Sequence, residues 1–502
     1  MIFAVTALRQ WPCGKIEDLT ATKTKMADTS HDSGNEHAHS PVSLTPAVDP
    51  TQAVTLISVM MFLQFFVWGS WFSVLSVALS HRGLGHIIGS AYETAPIAAI
   101  VAPLFLGLIA DRYFASQNVM GVLMLLGGGF FCLVPLASDN GSVLVWLVLA
   151  HMLCYMPTLG LGNTIAFTHI RKQEHFPFIR VWGTIGWIAS GLLVGILQWS
   201  TSFNIFWLAA GSSALLGLFC FLLPNTPPPL KGKPVDMRSL FMVDAFKLLA
   251  DINYLIFAVC AMLICVPLAY YFGQTGIFLT QAGFAQAAAT MTLGQMTEII
   301  FMLLIPFFFR RLGLKMMILI GMACWAARYV LFAWGAPQQH TAMLLAGVAL
   351  HGICYDFFFV TGFMYTDQKA PPEIRGQAQS LLVFLTQGIG TFFGYRIMAA
   401  GEFLGIDLGF TFGKYGEQVD SRAYQQSLAD ALGDAPQSSF LESFQQMFSR
   451  SLPDGIDSAL LADTMEQWKN FWMFPAILAA GVTVLFALIF WDKAKSEGNS
   501  PE

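Results

Sequence analysis

A chain of 502 residues in which 55% are apolar and only 11% charged cannot cover a water-exposed surface of its size, since soluble domains carry about 25% charged residues. The mean hydropathy of +0.60 and the 44 Gly fit membrane helices, where Gly is more frequent than in soluble ones. A net charge of −5 forms no basic field, which excludes nucleic acid as a partner. The eight Cys show neither CxxC nor metal-ligand spacing. Seven of them, Cys132, Cys154, Cys220, Cys260, Cys265, Cys324 and Cys354, lie in apolar runs, where a thiol acts as a small hydrophobe. No disulfide framework, metal site or cofactor is expected.

Residues 1–51 are polar and rich in Ser, Thr and His. They contain no apolar core of signal-peptide length and read as a disordered tail with a second possible start at Met26. A span needs about 20 mostly apolar residues. That ruler predicts helices near 52–80, 87–110, 117–137, 143–168, 178–200 and 204–223, then 253–281, 285–309, 314–334, 341–366, 376–399 and 470–491. The fold expected is therefore all-α and integral to the membrane, twelve transmembrane helices in two six-helix halves. The first half covers 52–224 and the second 253–491, joined by a polar linker at 225–252 that carries Lys231, Lys233, Arg238 and Lys247. An insertion at 401–468, rich in acids such as Glu402, Asp407 and Asp420, separates the last two helices, and 437–448 has helical spacing within it. Residues 492–502 form a short C-terminal tail.

Orientation follows from basic residues in short loops. With the N-terminus inside, the inner connections hold Arg112, Arg171, Lys172, Lys231, Lys233, Arg238, Lys247, Arg310, Arg311, Lys315, Lys369 and Arg375, whereas short outer connections hold only Arg82. Both termini are expected in the cytoplasm and 401–468 outside. The halves also echo each other, since Pro103 and Pro306 each stand shortly before a basic inner loop. Two related halves are the mark of the major facilitator architecture, with substrate at their interface near mid-membrane.

Ionisable residues inside spans are costly and default to function. Here they are Glu93, His151, Arg180, Glu298, Arg328, His351 and Asp356. Gln64, Trp68 and Trp71 share one helix face, as do Arg180, Thr184 and Trp187; Gln295 and Glu298 are i, i+3, and His351 and Tyr355 are i, i+4 with Asp356 adjacent. Stripes that mix aromatic rings with hydrogen-bonding groups are expected to face a shared aqueous cavity. A flat, hydroxylated ligand suits such a lining: a nucleobase stacks for about 1–3 kcal/mol per ring, although a sugar uses the same groups. Bland readings stand beside these. Trp68 and Trp71 suit packing as well as ligand contact, His151 reads as a satisfied core histidine, Arg328 as the partner of a buried acid or an anchor, and Glu93 as a group near the outer end that reaches water. Asp356 and Glu298 are mid-span carboxylates, for which a role is expected.

The segments Gln64–Trp71, Tyr155–Thr164, Phe176–Gly186, Gln295–Glu298 and Tyr355–Phe358 together resemble the nucleoside:proton symporter family of the major facilitator superfamily. The likeness runs over about 52–400 and resumes at the last helix. It implies a proton-coupled nucleoside importer of a bacterial inner membrane, working by alternating access. It also implies a substrate site built from Arg180, Thr184, Trp187, Gln295, Glu298, His351, Tyr355 and Asp356, with Asp356 the first choice for the coupling proton and Glu298 the second. Trp187 and Tyr355 stand where the family carries Phe, and His351 where it carries Tyr. Ala269–Gln274 departs from the family's Gln and Asn on that helix, and 1–51 and 401–468 have no counterpart in it. The partners implied are a nucleoside, protons and the lipid bilayer, the working unit a monomer. No nucleophile–base pair, metal cluster or nucleotide-binding glycine motif suggests an enzyme. The rival readings are a carrier of another polar solute, such as a sugar, and a carrier-like sensor that uses 401–468 to contact a partner.

Overall fold

In a bilayer each backbone N–H and C=O must be satisfied within its own segment, which favours long helices. The computed structural model describes residues 50–105, 112–137, 140–170, 176–228, 237–371, 374–432 and 448–491. The expected tails, and the helix expected at 437–448, fall outside them save for residues 50, 51 and 448.

The first six expected segments correspond to α1 (Pro50–Gly69) continued by a 3₁₀ turn (Phe72–Val74) and α2 (Leu75–His81), α3 (Ile88–Phe105), α4 (Ser116–Leu133), α5 (Gly141–His169), α6 (Phe176–Ile196) and α7 (Asn204–Cys220). After the linker come α8 (Ile252–Gln281) and α9 (Ala287–Gly335). The next segment is α10 (Thr341–Ala349), α11 (His351–Tyr355), a π-helical stretch (Asp356–Val360) and α12 (Thr361–Lys369). It is followed by α13 (Arg375–Val383), a second π stretch (Phe384–Gly390) and α14 (Thr391–Met398). Among the described residues nine helical stretches are long and apolar enough to cross a membrane. The expected segments 285–309 and 314–334 count as one stretch, although they are two helices that meet at a kink at Gly313, whose φ of 70° only glycine adopts freely. α7, at 17 residues, is too short to be counted, and α3 is not among the nine either.

Capping explains several boundaries. Asp251 Oδ1 accepts from the N–H groups of Asn253 and Tyr254 and starts α8, and Asn140 does the same for α5. Such caps satisfy donors that the first helical turn leaves free. The last helix, α16 (Ser458–Ile489), starts twelve residues before the expected 470 because Asp457 Oδ1 caps the N–H groups of Ala459 and Leu460. The insertion is thus shorter than expected and partly ordered. It holds a two-stranded hairpin pairing Glu402 with Asp407 and the helix α15 (Arg422–Leu432).

Within the first half α1 packs on α6 and α7, α4 on α5 and α7, and α3 on α5; within the second, α9 packs on α10, α11 and α16, and α8 on α14 and α16. Three seams join the halves: α6 with α9, α3 with α14, and α2 with α8. Contacts at all three lie toward one end of the bundle, the end where residues 82–87 connect α2 to α3. There Gly276 meets Ser73 and Val77, Gly89 meets Ala399, and Gly191 and Gly195 meet Thr292 and Ala289. The insertion covers the same end. Tyr424 Oη donates to the Gln281 carbonyl at 2.8 Å, Arg450 Nε to the Ala282 carbonyl at 2.7 Å, and Gln425 Nε2 reaches across to Ser80 Oγ at 3.1 Å.

Small residues set how closely helices approach. A Cβ on Gly186 of α6 would overlap the Phe62 carbonyl oxygen of α1, whereas one on exposed Gly129 would meet nothing. Overpacking costs about 1–3 kcal/mol, while Gly to Ala in an open helix position gains about 1 kcal/mol. Gly186→Ala should therefore lower the melting temperature of the detergent-purified protein and Gly129→Ala leave it equal or raised. Equal melting of Gly186→Ala and the parent would contradict the close α1–α6 packing.

Candidate functional site

The stripe on α6 faces the interface between the halves. Thr184 Oγ1 donates to Glu298 Oε1 on α9 at 3.2 Å, with both side chains buried. This hydrogen bond crosses from the first half to the second near the middle of both helices. One turn away, the Arg180 guanidinium lies 4.0 Å from the centroid of the Phe65 ring on α1, and its Nη1 has no hydrogen-bond partner among the described residues. Arg180, Glu298 and Asp356 interact electrostatically with one another, and Tyr355 feels all three.

Asp356 opens the π-helical stretch and is fully buried, with neither carboxylate oxygen hydrogen-bonded among the described residues. π segments often mark functional positions, because the extra residue turns a side chain out of the regular stripe. Gly352 lets α11 lie directly on α9: a Cβ there would press on the backbone of Thr297 and Glu298. Thr297 Oγ1 reinforces the contact by donating to the Ala349 carbonyl at 2.6 Å.

Aromatic rings run along one side of these polar groups. Trp68 contacts Tyr155 at 5.6 Å and Trp187 at 5.5 Å, Trp187 contacts Phe272 at 6.4 Å, Phe272 contacts His351 at 6.0 Å, and His351 contacts Tyr355 at 5.9 Å. The structure thus brings Arg180, Thr184, Trp187, Glu298, His351, Tyr355 and Asp356 to one region at the seam. Gln295, one turn from Glu298 on α9, is buried with its Oε1 unpartnered among the described residues. Phe65 and Phe272 join the region although sequence reasoning did not single them out as site residues: each is an aromatic residue in a largely apolar helix.

Other expectations resolve toward packing. Trp71 turns into the first half, 5.0 Å from Phe131 and 5.9 Å from His151. His151 stacks on Phe131, with Nδ1 2.9 Å from the Gly127 carbonyl. Gln64 donates to Thr158 Oγ1 at 3.0 Å and its carbonyl accepts from Tyr155 Oη at 2.7 Å, so it ties α1 to α5 rather than facing the seam. Arg328 makes no ion pair among the described residues; its guanidinium lies over Tyr271 at 4.2 Å and Trp325 at 4.7 Å, a cation–π anchor. Tyr271 in turn stacks on His351. Glu93 does not reach water. It is 2% exposed and pairs with Arg396.

This arrangement can hold a flat ring against aromatic faces, exchange hydrogen bonds with hydroxyls, and carry a proton on a carboxylate beside a fixed positive charge. Known proteins resemble the chain in sequence and in fold. The family model of the nucleoside H+ symporters matches residues 52–406. The chain is 43% identical over 354 residues to the "Putative nucleoside transporter YegT" of Escherichia coli (strain K12), a match that spans 68% of this chain and 82% of that one. It is 30% identical over 359 residues to the nucleoside permease NupG of the same organism, covering 67% and 85%. A crystal structure of the nucleoside transporter NupG superposes with a TM-score of 0.66 at 25% identity, over 86% of this chain and 99% of that one. The fold is the major facilitator fold, and the protein is a multi-pass membrane protein whose relatives are carriers rather than enzymes. With the match covering most of the chain, it belongs to the nucleoside H+ symporter family.

Proposed function

We propose that the chain imports nucleosides into a bacterial cell across the inner membrane, coupled to protons, with both termini in the cytoplasm. The observation that carries this reading is the Thr184–Glu298 hydrogen bond across the halves, set among aromatic rings and within the electrostatic reach of Arg180 and Asp356. The base stacks among Trp187, Phe272 and Tyr355. Gln295, Glu298 and His351 exchange hydrogen bonds with the ribose and base edges, as amides, carboxylates and imidazoles can. Arg180 presents a planar fork of donors to a base carbonyl.

Asp356 carries the coupling proton. Protonated, the group is cheap to bury; ionised, it needs a countercharge, and Arg180 supplies it. Substrate entry completes the polar partners of Glu298 and Thr184, so that binding and proton uptake together give a site that can be enclosed. Because the seams close at the end holding residues 82–87, and that end is read as periplasmic, the arrangement is the inward-facing one.

Uptake of labelled uridine and adenosine into vesicles tests the reading. Accumulation should require an inward proton gradient and resist competition by sugars. Uptake that sugars abolish would instead favour a sugar carrier. Arg180→Lys should weaken nucleoside binding by at least about tenfold, as expected where a planar fork is lost, while the protein still inserts; unchanged affinity by calorimetry would rule out a direct contact. Asp356→Asn should abolish accumulation against a gradient yet keep nucleoside exchange, and if it still concentrates uridine, Glu298→Gln becomes the variant that must fail. For orientation, an impermeant maleimide added outside should label Asp454→Cys in the insertion and spare Lys247→Cys in the linker. The reverse pattern would invert the topology.

A further inference from the structure

The seam between α3 and α14 holds an ion pair, its acid buried and its guanidinium part-exposed, that the transport reading does not use. Glu93 Oε2 lies 2.8 Å from Arg396 Nη2, and the two residues belong to opposite halves. One residue earlier on each helix, Tyr92 and Tyr395 stack across the seam at 5.2 Å. One turn further out, Gly89 lies on Ala399. Tyr92 Oη donates to the Phe72 carbonyl at 2.7 Å, which ties this contact to the turn that packs against α8. Arg396 Nη1 also donates to the Glu402 carbonyl at 3.3 Å, at the root of the insertion. This ion pair joins the two halves, and it stands at the end where all three seams close.

We infer that Glu93 and Arg396 form a proton-operated latch that holds the outer end of the carrier shut. A carboxylate as buried as that of Glu93 is tolerable in its ionised form only while a cation faces it, and neutralising it removes what holds the part-exposed guanidinium of Arg396 against α3. When a proton from the outer medium adds to the Glu93 carboxylate, the ion pair is lost, and Arg396 regains solvation by parting from α3. That parting opens the seam. When the seam closes again, the proton returns to the outer medium and the pair re-forms, so the latch adds no proton to those carried inward. Arg396 is the charged group that contacts Glu93. The other titratable groups on α3, α14 and the elements packed against α3 are Tyr92 and Tyr395, His81 at the end of α2, His86 on the turn before α3, the His, Cys and Tyr of α5, and the Tyr and Cys of α8, of which Cys265 interacts with Tyr395. α5, α8 and the second π stretch, which also pack on α3, contain no Asp, Glu, Lys or Arg.

The inference rests on the carrier reading, but its test needs no solute. Ser73, buried at the closed seam against Gly276, is replaced by Cys in membranes and labelled with an impermeant maleimide from outside. Rates are normalised to exposed Asp454→Cys to remove the thiol's own pH dependence. Labelling of Ser73→Cys should rise as the outer pH falls. Adding Glu93→Gln, the isostere of the protonated acid, should raise the neutral-pH rate about tenfold, the room available to a minor state of a few per cent, and flatten the pH profile. The charge-swapped pair Glu93→Arg with Arg396→Glu should restore slow labelling at neutral pH, which a merely misfolded Glu93→Gln protein would not predict. Glu93→Gln labelling at the parent's rate, a pH-independent parent, or labelling of Ser73→Cys only from the inside would each overturn the latch. Failure of nucleoside uptake alone would leave these rates unmoved and count against the substrate assignment instead.

Discussion

Hydrocarbon supplies no hydrogen bonds and no solvation for charge, and the organisation of this protein follows from that constraint. The helices satisfy most of their own backbone, so the polar groups left to place are mainly side chains, and those cannot face lipid. They collect where two helices or two halves meet. Gln64, Thr158 and Tyr155 consume each other inside the first half. Arg328 is absorbed inside the second half by aromatic faces. What remains, Arg180, Thr184, Glu298 and Asp356 at mid-span and Glu93 with Arg396 toward one end, lies along the seams, the surfaces that an alternating carrier must open and close.

The closed end has several layers. Small residues let the backbones meet, stacked tyrosines fill the next layer, and the Glu93–Arg396 pair supplies charge complementarity. The insertion is fastened mainly to the second half, through Gln281, Ala282 and Met398, and reaches the first through Gln425 and Ser80. Among the described residues the hydrogen bond from Gln425 to Ser80 must break when the ends part. A rigid cap on one half and a light touch on the other add order to that end without locking it.

Much of this was legible in the sequence, because the signals are strong in a membrane. Apolar runs of bilayer length located the helices, and mid-span ionisable residues at helical spacing pointed to α6, α9, α11 and the π stretch after it, whose side chains the structure brings to one region, as the candidate site. The errors have physical causes. Hydropathy does not see a cap, so it missed that Asp457 starts α16 early. The expected break between 285–309 and 314–334 holds: two helices meet there at Gly313, although the first continues past Arg310 and Arg311. Helical spacing alone placed Gln64, Trp68 and Trp71 on one face, yet α1 ends at Gly69, and the turn that follows rotates Trp71 into the core. Glu93 looked solvated because its partner lies about 300 residues away on α14, a distance no local pattern spans. Phe65 and Phe272 carried no signal, because an aromatic residue at a site and one in a core are the same letter.

The charge count at mid-span limits how the halves can move. Arg180 carries one positive charge and Glu298 with Asp356 up to two negative ones, all in mutual reach. With both acids ionised the region holds a net negative charge, which is expensive to enclose between packed helices. With one acid protonated it is neutral, and enclosure becomes feasible once the remaining donors and acceptors find partners. A hydroxylated substrate supplies those partners, and a proton supplies the neutrality. Neither suffices alone, since an empty neutral site leaves buried polar groups unsatisfied and an occupied charged site keeps its excess charge. In a site of this composition, coupling between solute and proton therefore follows from the cost of burying the intermediate states, without any direct contact between the proton and the solute.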